Sequence, residues 1–239
     1  MFIVNFADIK IKINNIYDYS MHFCHDYIID SESFDFEINV SQDEIQLEHD
    51  ESLPNEYSLP YCEAIVIYRK IALNLYKYNA FVMHGAVIKV DDDGYMFLAK
   101  SGVGKSTHIN LYLNHFKKRA KVVNGDKPII RLIDNKFYAY GTPYNGKENL
   151  GDKDFVELKG LCFLKRGLEN KAYPLSKDKA SILLFNQILL PSNEKDYDIL
   201  ISLLDKMITN TPLIQLECNM LEEACKVSYE ALGGRNYEN

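Results

Sequence analysis

Apolar and polar side chains alternate along residues 2–6, 9–13, 34–40 and 44–47, the pattern of half-buried strands. Two prolines mark residues 52–60 as a loop. From 61 to 78 the spacing becomes helical, with Ile65, Tyr68, Ala72, Leu75 and Tyr76 on one stripe. Strands are expected again over 81–90 and 95–99, joined by the turn Asp91-Asp92-Asp93-Gly94. A helix over 105–116 and a strand over 120–123 come next, then a hairpin of 128–133 with 137–140 around Asp134-Asn135. Helices are expected over 177–190 and 196–208, a strand over 213–217, and a last helix over 221–232 stopped by Gly233-Gly234. The fold class is therefore mixed, α+β. Residues 1–60 read as a small β-rich lobe and 61–239 as the main domain.

Composition narrows the class. A chain of 239 residues with 47% hydrophobic and 26% charged side chains is long enough for a buried core and has no disordered or fibrous bias. No apolar run approaches the roughly 18–20 residues of a membrane span. The balance of 27 basic against 34 acidic side chains, a net charge of −7, argues against a nucleic-acid surface. Five widely spaced cysteines, an odd count, read as reduced thiols of a cytoplasmic protein. His22 and His25 flank Cys24 without a second cluster at metal-finger spacing.

The sharpest chemical signal is Ala99-Lys100-Ser101-Gly102-Val103-Gly104-Lys105-Ser106-Thr107. Apart from Ala99 in place of the first glycine, it fits the phosphate-loop pattern between a strand and a helix. Glycines let backbone N–H groups curl around an anion, and the helix start turns its positive end toward it. Residues Ser101 to Thr107 are thus the candidate nucleotide cradle. Lys105 would reach the β- and γ-phosphates of ATP, and the Ser106 hydroxyl would ligate Mg²⁺. Asp126, 21 residues after Lys105 at the end of an apolar strand, is a candidate Mg²⁺ ligand or proton acceptor. In the polar segment 144–149, Lys147 could approach a phosphate and Glu148 could hold a second Mg²⁺; Arg166 is a candidate phosphate contact or a solvated turn residue. The guanine-reading Asn-Lys-x-Asp of GTPases is not matched by Asn135-Lys136-Phe137-Tyr138.

Met83-His84-Gly85-Ala86, a short hairpin and then the phosphate loop resemble the catalytic core of HPr kinase/phosphorylase and its shorter relatives, whose fold is shared with phosphoenolpyruvate carboxykinase. The 22 residues from His84 to Ser106 match that family as well, and residues 122–127 resemble its strand ending in acids. The resemblance covers roughly residues 61–235. It implies a Mg-ATP-dependent kinase that moves the γ-phosphate to a serine-type hydroxyl on a peptide, a protein or a small molecule. Asp126, His84 and Lys105 would be catalytic, with His84 beside the transferred phosphate. The family often has two adjacent acids, and Gly125 stands where the first would be. Full-length HPr kinases carry a separate N-terminal domain and form hexamers. This chain departs from them in having only a short β-rich lobe there, so a homo-oligomer is an open expectation and the hexamer does not carry over. Two alternatives remain beside transfer: a nucleotide-binding regulatory module, and carboxykinase-like chemistry on a small acid.

Overall fold

The computed structural model describes residues 1–52, 57–100, 102–235 and 237. They form a mixed α+β structure in two compact units, Met1–Tyr78 and Asn79–Asn239.

In the first unit, β1 (Phe2–Phe6) and β2 (Ile9–Asn14) make an antiparallel hairpin. Its turn residues Ala7 and Asp8 both adopt positive φ, as a tight two-residue turn requires. β3 (Phe36–Asn39) joins β2 in parallel. The alternation expected of β1 and β2 is realised: Val4, Phe6, Ile9, Ile11 and Ile13 are buried, and the residues between them are partly exposed. Three helices complete the unit, α1 (Asp18–Phe23), α2 (Gln42–Glu51) and α3 (Leu59–Asn74). The buried Glu63 of α3 accepts hydrogen bonds from the Tyr17 N–H at 3.2 Å and the Ser20 hydroxyl at 2.5 Å, so its carboxylate holds the start of α1.

Several expectations are corrected here. Residues 44–47 belong to helix α2 and not to a strand. Helix α1 was not foreseen, so the N-terminal part carries helices as well as strands. Of the expected loop 52–60, residues 53–56 lie outside the described residues, and Leu59 and Pro60 open α3. Helix α3 packs on α1, α2 and β3, which takes the boundary between units to Tyr78 where the pattern suggested residue 60.

The second unit is built on one nine-stranded sheet. β4 (Ala80–Val82), β5 (Ala86–Val90), β6 (Asp93–Leu98), β7 (Ala120–Asn124), β8 (Ile129–Ile133), β9 (Lys136–Tyr140) and β10 (Phe155–Arg166) run in the order β4-β8-β9-β10-β6-β5-β7. β12 (Leu213–Cys218) pairs in parallel with β10, and β11 (Lys171–Pro174) lies antiparallel to β12. β6 holds one edge of β10 in parallel, while β9 and β12 share the other edge, toward opposite ends of the strand. The expected strand 81–90 is broken into β4 and β5 around Met83-His84-Gly85. β10 and β11 were not expected. The helix expected over 177–190 ends at Phe185, as α5 (Lys177–Phe185). Helices α4 (Lys105–Phe116), α6 (Glu194–Asn210) and α7 (Glu223–Ala231) stand close to their expected places. α4 packs on β5, β7 and α7. Its core holds Phe97, Tyr112, Phe116 and Tyr229, rings within 4.7–6.2 Å of one another where they pair.

No helix among the described residues is long and apolar enough to cross a membrane. None of the five cysteines forms a disulfide.

Candidate functional site

Sheet register brings the candidate residues together. Ala86 of β5 lies opposite Phe97 of β6, and Val87 lies opposite Asn124 of β7. Stepping off those pairs gives His84 two residues before Ala86, Ala99 two after Phe97, and Asp126 two after Asn124. All three leave the sheet at the same end. Gly85 makes the close approach possible, because a Cβ there would meet Leu98 Cδ2 at 2.6 Å and the Phe97 carbonyl at 3.0 Å. Its N–H donates to the Asp126 carbonyl at 2.8 Å.

The segment from Ala99 to Gly104 connects β6 to α4. Ser101, one of the expected cradle residues, lies outside the described residues. Gly102 and Gly104 have φ of +77° and +127°, and nothing lies within 4 Å of where a Cβ would stand on either. Only glycine takes such angles readily. Gly104 is the N-cap of α4 and provides no side-chain cap, so the first-turn N–H groups of Lys105, Ser106 and Thr107 are left to another acceptor. Such an end attracts anions.

The Lys105 ammonium lies 3.2 Å from His84 Nε2 and donates to the Ala99 carbonyl at 3.2 Å. His84 Nε2 is also 3.2 Å from Asp126 Oδ1, and Lys127 Nζ is 3.2 Å from Asp126 Oδ2. One carboxylate thus sits among three nitrogen bases drawn from three segments of the chain. Burial works to raise the Asp126 carboxyl, but the His84 hydrogen bond and the Lys127 charge outweigh it and hold it below the usual carboxylate range. Burial depresses Lys105, against the opposing pull of Asp126.

Asp126 is fixed from behind. The buried Asn124 accepts the N–H groups of Asp126 and Lys127 at 2.9 and 2.8 Å on its side-chain oxygen. Its amide nitrogen donates to Thr142 Oγ1 at 3.0 Å, and that hydroxyl donates to the Lys127 carbonyl at 3.1 Å. The segment 144–150 lies over the turn: the Lys127 N–H donates to the Tyr144 carbonyl, and the Gly125 N–H to the Leu150 carbonyl. A Cβ on Gly125 would stand 2.9 Å from both the Asn145 and Leu150 carbonyl oxygens. An acidic side chain at this position has no room unless that segment moves.

His84, Lys105 and Asp126 are therefore neighbours, and Ser106 follows Lys105 in the first turn of α4. Glu148 and Lys147 are exposed in the turn 146–149, outside the hydrogen bonds and ion pairs of this cluster. Among the described residues, no three His, Cys, Asp or Glu side chains are grouped to hold a metal ion. Asp126 and Ser106 are hard oxygen donors, the type that suits Mg²⁺ with its retained waters. One participant, Lys127, escaped the sequence reading, and Arg166, a candidate there, has a partner that was not foreseen. Lys127 follows Asp126 directly, which was a usable signal. Arg166 bonds the loop itself, donating to the Gly102 carbonyl at 2.6 Å and the Val103 carbonyl at 3.3 Å.

The chain matches no protein-family model, and no curated protein matches it. Among solved structures it is similar to the Hpr(Ser) kinase/phosphatase from Coxiella burnetii, at 10% sequence identity and a TM-score of 0.36, over 64% of this chain and 99% of that one.

Proposed function

We propose that the chain binds Mg-ATP at the β6–α4 loop and transfers the γ-phosphate to a hydroxyl on a peptide, protein or small-molecule acceptor. The observation that carries this reading is the chain of 3.2 Å contacts joining Lys105, His84 and Asp126 at an uncapped helix start. Phosphoryl transfer asks little covalent chemistry of a protein. It asks for positioning and charge stabilisation, and this site is built from both.

In this reading the amides from Ser101 to Thr107 cradle the phosphates, and Lys105 exchanges His84 for the β- and γ-oxygens. His84 donates to the transferring group. Mg²⁺, bound with the nucleotide, supplies charge neutralisation on the phosphate oxygens, with Ser106 and Asp126 as its protein oxygen donors. A carboxyl held low stays ionised at neutral pH. It is a weak base, so Asp126 orients the acceptor hydroxyl and takes its proton only as the bond to phosphorus forms.

The test begins with melting temperature. Mg-ATP at 100 times its dissociation constant stabilises by about 2.7 kcal/mol, a rise of roughly 5–11 °C for a chain of this size. Lys105→Ala should lose that rise, whereas Asp126→Asn should keep most of it and lose transfer of labelled γ-phosphate. An equal rise in wild type and Lys105→Ala sinks the reading.

Gly125 favours a second reading, nucleotide binding without transfer. With no room for a second acid, the turn after β7 offers a single carboxylate. A clear Mg-ATP shift with neither acceptor labelling nor slow hydrolysis would select it.

A further inference from the structure

Arg166 is the last residue of β10, and its place follows from register. Phe163 of β10 pairs in parallel with Leu98 of β6, so three more residues carry Arg166 alongside the loop that leaves β6. On its other edge Arg166 pairs with Cys218 of β12, which fixes its backbone from the far side. Its guanidinium donates to two successive backbone carbonyls, those of Gly102 and Val103, at 2.6 and 3.3 Å. No carboxylate pairs with it among the ion pairs of the described residues. It also borders a cleft walled by Val103, Thr107, Leu111, Leu164 and Met220.

A trans peptide is planar, with its C=O and N–H pointing in opposite directions. A group that grips the Gly102 carbonyl therefore aims the Val103 N–H away from itself, and one that grips the Val103 carbonyl does the same for Gly104. The Val103 N–H is bonded within the loop, to the Lys100 carbonyl at 3.2 Å. Both peptide planes adjoin glycines at positive φ with open space around them. Glycine takes positive and negative φ with similar ease, so the glycine backbones themselves do not resist a flip of either plane, and the Val103 N–H bond to Lys100 opposes it in the first plane alone. A flipped plane would present an oxygen to a bound phosphate.

We infer that Arg166 is a positioning residue for the loop: by holding the Gly102 and Val103 carbonyls it fixes two successive peptide planes, the Val103 N–H on the Lys100 carbonyl and the Gly104 N–H turned away from the guanidinium for phosphate. This rests on the reading of the loop as a nucleotide cradle. It adds a residue 62 positions beyond Gly104, outside the loop motif, on which the cradle depends. Lysine is a poor substitute, because one ammonium does not span two carbonyls as the rigid guanidinium fork does.

The experiment uses the full chain, ¹⁵N-labelled, as wild type, Arg166→Ala and Arg166→Lys. Relaxation order parameters for the Val103 and Gly104 amides are measured without ligand, and Mg-ATP affinity by calorimetry. The wild-type amides should sit near the rigid value of about 0.85 and fall below about 0.6 in Arg166→Ala. Mg-ATP should bind about tenfold more weakly to that variant, the size of effect expected for lost charge-assisted hydrogen bonds. Arg166→Lys should fall between the two. Unchanged order parameters in Arg166→Ala overturn the inference, and so do lowered order parameters with unchanged Mg-ATP affinity. A wild-type chain that binds neither Mg-ATP nor pyrophosphate overturns the functional reading instead, and the relaxation data still decide whether Arg166 fixes the two peptide planes.

Discussion

One turn beyond Lys105 on α4, His108 is buried and bonded through Nε2 to the Ser228 hydroxyl at 3.0 Å. Ser228 also takes the Tyr112 hydroxyl at 2.8 Å and donates to the Cys225 carbonyl at 2.9 Å, so α4 and α7 share one satisfied polar knot. The imidazole lies against Phe97, ring centres 4.6 Å apart, and burial depresses its pKa to about 4. An unfolded histidine takes a proton near pH 6.5. Between those two values the unfolded chain binds a proton that the folded chain refuses. Stability therefore falls as pH drops through the window, by up to about 3 kcal/mol. Urea titrations at pH 7, 6, 5 and 4 should show this loss, and His108→Gln, which can still donate to Ser228, should flatten it. Equal slopes in both proteins would remove His108 as the cause. At this scale the glycine-rich turn between β6 and α4 was legible in the chain, because its glycines and Lys105 lie within one short segment. His84 entered only through resemblance, since a lone histidine among Val82, Met83 and Val87 carries no pattern of its own. The bonds of Arg166 to the loop were not legible at all, because they depend on a parallel register between strands far apart in sequence.

Among the elements, α2 shows how a short alternation misleads. Glu44-Ile45-Gln46-Leu47 satisfies a period of two, yet Ile45 is fully buried and Leu47 is 60% exposed, which a one-faced strand would not do. The deciding signal was Ser41 followed three residues later by Glu44, a capping box. Ser41 Oγ accepts the Glu44 N–H at 3.3 Å, and the Glu44 carboxylate accepts the Ser41 N–H at 2.9 Å. Ser41→Ala should cost about 1 kcal/mol, read as a lower urea midpoint with an unchanged slope. No change in midpoint would mean that packing alone sets the start of α2. β10 escaped for the opposite reason. From Gly160 to Leu164 its residues are buried on both faces, so alternation vanishes where the strand is most central. Gly160 adds a false break. It marks a register shift against β6, where a Cβ would meet Leu232 Cδ2 at 2.6 Å.

For the whole molecule, the division at Tyr78 leaves His84, Lys105, Asp126 and Arg166 within Asn79–Asn239, around a core of its own. A fragment of residues 79–239 should accordingly fold and keep a Mg-ATP-dependent rise in melting temperature within a few degrees of that of the full chain. A folded fragment without that rise would make the first unit necessary for the site. The pattern put α3 with the second unit because an amphipathic stripe announces that a helix buries one face, not which sheet receives it. The overall class was legible; the strand order was not, since it is fixed by pairings such as Leu161 with both Met96 and Leu213. Those pairings also set a timetable. Synthesis at roughly 5–20 residues per second separates Gly104 from Arg166 by about 3–12 s, and β12, which flanks Arg166, emerges later still. Through that interval the nascent loop has neither its guanidinium nor β10 beside β6. The loop before α4 thus takes up its two guanidinium hydrogen bonds only after α4, β7, β8 and β9 have all been made.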